Sequence, residues 1–162
     1  MDQKELTEIF RKLGAEDPED WARSQIKEGI PQLARFLFLR QAWRCVVPED
    51  DPGWIDETIS MAVRDPNEEY AGAGHALASL RKRGATDEEL TDLVRGTQAE
   101  LLFQICCLLD DPGDLAPGVA NVNWALVQTD DEGNVLKTIG GLHESVIEMD
   151  PTGREMRPRG AG

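Results

Sequence analysis

Positive charge, cysteine, histidine and long apolar runs are all scarce in this chain of 162 residues. Five Lys and 12 Arg face 31 Asp and Glu, for a net charge of -14. A protein that binds a nucleic-acid backbone or an anionic membrane needs clustered Lys and Arg, so this balance argues against both. The basic group near the C-terminus, Arg154, Arg157 and Arg159, is too small to change that. Three Cys, two of them adjacent, cannot build a disulfide framework. The longest nearly apolar runs, 36–39 and 105–109, are far too short to span a bilayer. The first residues are charged and helix-patterned, unlike a secretory leader. These absences lead to the expectation of a soluble cytoplasmic protein.

Reactive motifs are missing as well. There are two His, and neither has a His or Cys at helical ligand spacing. No His-Glu-x-x-His or Cys-x-x-Cys occurs, and no Gly-x-Ser-x-Gly. Gly72-Ala-Gly74 is followed by no Lys-Ser/Thr and is not a phosphate loop. The acidic turn 130–134 lacks the ligand spacing of a calcium loop. No metal and no cofactor is expected. Cys106 and Cys107 lie in the most apolar helical stretch, where thiols pack as small hydrophobes and react slowly. Cys45 has the same expectation.

What is present is a globular composition, 40% hydrophobic and 30% charged. The length suits one domain able to bury a core without staples. We expect that domain over residues 1–150, with 151–162 as a tail. Five of the nine prolines follow an aspartate. Asp accepts from orphan N–H groups at a helix start, and Pro has none to lose at the next position. Asp17-Pro18, Asp51-Pro52 and Asp65-Pro66 therefore read as helix starts. Asp111-Pro112 and Asp150-Pro151 precede Gly and read as turns.

Apolar periodicity predicts six helices. They lie at about 3–13, 17–29, 31–46, 53–64, after Pro66, and from Thr86 to about 110. The third is apolar nearly all round and should sit in the core; at least one of Arg35, Arg40 and Arg44 then needs a carbonyl or carboxylate inside the fold. Thr86-Asp-Glu-Glu89 fits a capping box. Leu90, Leu93, Val94, Thr97, Leu101, Ile105 and Leu108 then mark one face. After residue 121 the period changes to two: Val122, Trp124 and Leu126 alternate, and 135–139 returns beyond a Gly133 turn. The expected fold is mainly α: a single domain of about six helices with a C-terminal antiparallel β-hairpin, about 122–139, packed on them.

Negative charge is concentrated in this last part. Residues 101–150 hold nine acids against one base, Lys137. Acidic surfaces speed association with basic partners and repel anions. The expected function is thus a non-enzymatic interaction module for a basic protein, of the immunity, antitoxin or adaptor type. Its docking residues would be Asp110, Asp111, Asp114, Asp130, Asp131 and Glu132, with Trp21 and Trp54 as aromatic anchors. The rival is a small-molecule-binding or enzymatic domain with a polar site at His143 and Glu144, which follow Gly140-Gly141. Adjacent helical residues point about 100° apart, so that pair converges poorly on one substrate. The simpler role for it is to cap and bond the hairpin to the body. Oligomeric state is not encoded in any pattern here.

Overall fold

A computed structural model of the chain describes residues 1–111, 113 and 122–159. Among these, seven helices and one hairpin follow in the order α1 (Gln3–Leu13), α2 (Pro18–Glu28), α3 (Gln32–Trp43), α4 (Gly53–Arg64), α5 (Ala71–Lys82), α6 (Asp87–Asp110), β1 (Leu126–Thr129), β2 (Val135–Ile139) and α7 (Leu142–Ser145). The fold is mainly helical, with an antiparallel hairpin near the C-terminus packed on helices, as the periodicities predict. No helix among the described residues is long and apolar enough to cross a membrane. The chain divides into two compact units. One is Met1–Trp43 with Leu102–Glu155; the other is Arg44–Leu101 with the residues from Met156.

Local chemistry sets the helix ends. The Thr86 box forms: Glu89 N–H donates to Thr86 Oγ1 at 3.2 Å, and Thr86 N–H to Glu89 Oε2 at 2.8 Å. Those bonds from Thr86 hold the Glu89 carboxyl below its ordinary range. A second box, Asp2 with Glu5, starts α1. Pro18 opens α2 as expected. Asp65-Pro66 does not open a helix. The chain turns over 65–70, and α5 begins only after Tyr70, which has φ +67° and is 90% exposed.

In the first unit, Leu6, Phe10, Ala22 and Phe36 pack together, and Trp21 stacks on Phe10 at 5.9 Å. A second cluster joins α3, α6, the hairpin and α7 through Leu39, Cys106, Ile139, Leu142 and Val146. Helix α3 buries Phe36, Leu39 and Trp43 but leaves Leu37 exposed. The Trp43 indole N–H donates to the Val146 carbonyl at 2.7 Å.

The hairpin is shorter than its alternation suggests. Leu126 pairs with Ile139, Val127 with Thr138 and Gln128 with Lys137, before an irregularity at 128–129. Residues 122–125 form no strand. The Trp124 indole donates to the Leu108 carbonyl at 2.6 Å, near the end of α6, where carbonyls have no helical donor. That bond replaces a place in the ladder. Lys137 Nζ donates to the Gly29 carbonyl at 2.7 Å, just past α2, a favoured place for a cation.

In the second unit, Ile55, Leu77 and Leu90 form the core, with Trp54, Ile59 and Ala85 against it. Helices α4 and α5 approach so closely that a Cβ on Gly74 would lie 2.5 Å from Ala62 Cβ and from the Thr58 carbonyl oxygen. Arg81 bridges Asp56 at 2.5 Å and Asp87 at 2.6 Å. Helix α6 does not bury its most apolar stripe. Leu90, Thr91, Arg95, Ala99 and Cys106 are buried, while Leu93, Leu101, Ile105 and Leu108 are exposed. Paired polar groups set this rotation in the second unit: Arg95 donates to the Val47 carbonyl at 2.8 Å, and Gln98 Oε1 accepts from Val47 N–H at 2.8 Å.

Candidate functional site

Residues 140–146 hold the sequence-expected polar pair. A left-handed Gly141 (φ +69°) turns the chain from β2 into α7. His143 and Glu144 then face different partners. The His143 backbone N–H and ring Nδ1 both meet Asp110 Oδ2, at 2.9 and 2.6 Å. Glu144 lies 3.6 Å from the Arg35 guanidinium, which also donates to the Gly141 carbonyl and, at 2.6 Å, to Ser145 Oγ. The two side chains do not converge. They fasten α7 to α6 and α3, the capping and bonding role expected of them.

Burial pushes the Asp110 carboxyl up. Bonds from the His143 backbone and ring and from the Leu142 amide outweigh that and hold it below the ordinary carboxylate range. Burial pulls Arg35 below its ordinary value, against Glu144 and Asp110, whose charges favour the cation. Arg35 meets the need of α3 for an internal carbonyl partner.

The acids expected on a docking face are divided. Asp110 is withdrawn from any such face: its side chain is 7% exposed and turned onto His143. Asp111 is exposed, and Asp114 lies outside the described residues. At the hairpin tip, Asp130 is the acceptor that shapes the turn. It takes Glu132 N–H at 3.0 Å, Asn134 N–H at 2.8 Å and Asn134 Nδ2 at 2.9 Å. Bonds from Asn134 hold its carboxyl low. Asp131 and Glu132 face solvent, and neither is in an ion pair among the described residues.

The two tryptophans also differ. Trp54 packs on the second unit's core, with its indole N–H buried and unbonded. Trp21 lines a cleft of about 290 Å³ with Phe36, Trp43, Arg40, Glu16, Asp17 and Glu148. An adjoining recess shares Asp17, Trp21 and Glu148 and adds Asp20, Gln32 and Ser145. Asp17 belongs here although sequence gave it only a capping role, and it makes no side-chain cap bond to α2. Gln32, Asp20 and Glu148 carry no sequence signal that joins them, because they meet only through the packing of α2, α3 and the segment after α7.

Among the thiols, Cys106 is buried and its pKa is pushed up to about 11, first by burial and then by the charge of Asp110. Cys107 is half-buried, and Cys45 is exposed rather than packed. Among the described residues no three His, Cys, Asp or Glu side chains form a group that would hold a metal ion. Compared with protein-family models, curated proteins and solved structures, the chain shows no match.

Proposed function

We propose that the protein is a non-enzymatic interaction module whose acidic surface engages a basic partner protein, in the manner of an immunity-type inhibitor or an adaptor. The observation that supports this reading is the hairpin tip, where Asp131 and Glu132 project into solvent with no cation paired to either among the described residues. Unpaired exposed carboxylates on a chain of net charge -14 create a field that accelerates encounter with a basic surface. The rival, a catalytic or small-molecule site at His143 and Glu144, is weakened by the separate partners those residues take.

The test begins with affinity capture from an extract of the source cells at low and high salt. A basic protein should be released by salt. Asp131→Lys with Glu132→Lys should then slow its association by roughly tenfold at low ionic strength and change dissociation little. An association rate equal to that of the unaltered protein would remove the acidic-surface reading.

A further inference from the structure

We propose that a basic amphipathic helix of the partner docks on an apolar patch of the first unit, formed by Ile105, Leu108 and Trp124. This inference rests on the acidic-module reading and names the apolar centre of that surface and the kind of segment that covers it. Ile105 and Leu108 stand one turn apart on one face of α6. The Trp124 indole donates to the Leu108 carbonyl at 2.6 Å, which fixes the ring at the same turn. These three residues, and Val122 just before Trp124, are 40% to 54% exposed. Isolated exposed apolar residues are ordinary, whereas neighbours gathered at a fixed aromatic mark a contact surface.

Charge decides what covers the patch. No Lys or Arg occurs between Arg95 and Lys137, the stretch that contains the patch, while seven acids do. Asp111, one turn beyond Leu108, is exposed and in no ion pair among the described residues, as are Asp131 and Glu132 at the hairpin tip. Through β1, Trp124 lies at most about 23 Å from Asp131. An interface of about 800 Å² per side is about 30 Å across, so one partner can cover both. A second copy would set these acids against their own kind, and an anionic membrane would be repelled in the same way. A positively charged segment is drawn to the acidic rim and needs an apolar face for the centre. Ile105 and Leu108 form a helical ridge with an indole at its end. Such a ridge packs into the groove of another helix, whose anchors recur every three or four residues.

The probe is a blocked peptide of lysine and leucine with its leucines on one helical face. It is compared with a counterpart carrying glutamate for lysine and with another carrying serine for leucine. Binding is read from the indole N–H resonance of Trp124, assigned by Trp124→Phe. The lysine–leucine peptide should shift this signal saturably and bind at least about fivefold tighter than either counterpart. Ile105→Gln with Leu108→Gln should weaken it by at least about fivefold and leave the melting temperature within about 2 °C, because exposed substitutions cost little. A smaller ratio in any of these comparisons would overturn the proposal. A larger fall in melting temperature would mean that the chain itself covers the patch. A dimer seen by sedimentation and dissolved by the double variant would give the patch to a second copy. Either result also overturns it. Asp131→Lys with Glu132→Lys tests the module separately. If that tip variant slows partner association while the patch variant weakens neither peptide nor partner, only the patch falls. If the tip variant leaves partner association unchanged, the module falls instead.

Discussion

A guanidinium taken out of water needs acceptors, and Arg35 finds them 106 and 110 residues away in the Gly141 carbonyl and Ser145 Oγ. Removing it takes the donor from the buried Ser145 Oγ and leaves the Gly141 carbonyl with only the Glu144 N–H, at 3.3 Å. Arg35→Ala should therefore lower stability by about 2–3 kcal/mol, read from urea unfolding. Arg35→Lys should recover little, because one ammonium cannot reproduce two directed N–H bonds from a plane. An unchanged midpoint in the Ala variant would mean that the Glu144 N–H is donor enough for the Gly141 carbonyl and that the Ser145 hydroxyl finds another partner. Asp110 makes a pH-dependent contribution. Its folded carboxyl titrates below the unfolded value of about 3.9, so its stabilisation is complete above that pH and is lost as pH falls through the folded value. The melting-temperature gap between the native protein and Asp110→Asn should be widest near neutral pH and close below about pH 4. A gap that stays constant down to about pH 3 would contradict this assignment.

At the scale of elements, what the sequence made legible was local. The Thr86–Glu89 box, the Pro18 start of α2 and the Gly133 turn all depend on residues within a few positions of one another, and all form. The failures have distant causes. In the second unit, the face that α6 buries departs from its apolar stripe where Arg95 and Gln98 bond to Val47. β1 lost its first half because the Trp124 indole found the carbonyl of Leu108. Asp110 looked like a surface acid, and its partner is 33 residues away. For the candidate site, Trp21 was legible as an aromatic near a helix start, but Gln32 and Glu148 were not. The hairpin tip gives an element-scale prediction. Asp130 organises the turn while Asp131 only decorates it, so Asp130→Ala should raise amide exchange at Glu132 and Asn134 severalfold, and Asp131→Ala should not. Equal exchange in the two variants would show that Gly133 alone holds the turn.

For the whole molecule, 31 acids against 17 bases leave 14 negative charges without a counterpart. The exposed ion pairs that do form, such as Arg81 with Asp56 and Asp87 or Arg11 with Glu19 at 2.5 Å, are of the kind that contributes little. The surplus repels itself, and repulsion is felt over about 30 Å in 0.01 M salt but only about 10 Å at 0.1 M. Salt therefore acts on two opposing terms: it weakens the ion pairs and it relieves the surplus. The surplus is the larger, so at pH 7 the melting temperature should rise between about 10 mM and 300 mM NaCl, by about 3 °C for about 1 kcal/mol of relief. Asp131→Asn with Glu132→Gln should raise it at low salt and lose that advantage at high salt, because among the described residues those two acids are in no ion pair that their removal would break. A melting temperature that falls with salt would mean that the ion pairs outweigh the repulsion. It would also count against the proposed function, since the acids that repel one another at low salt are the same ones held to draw in a basic partner.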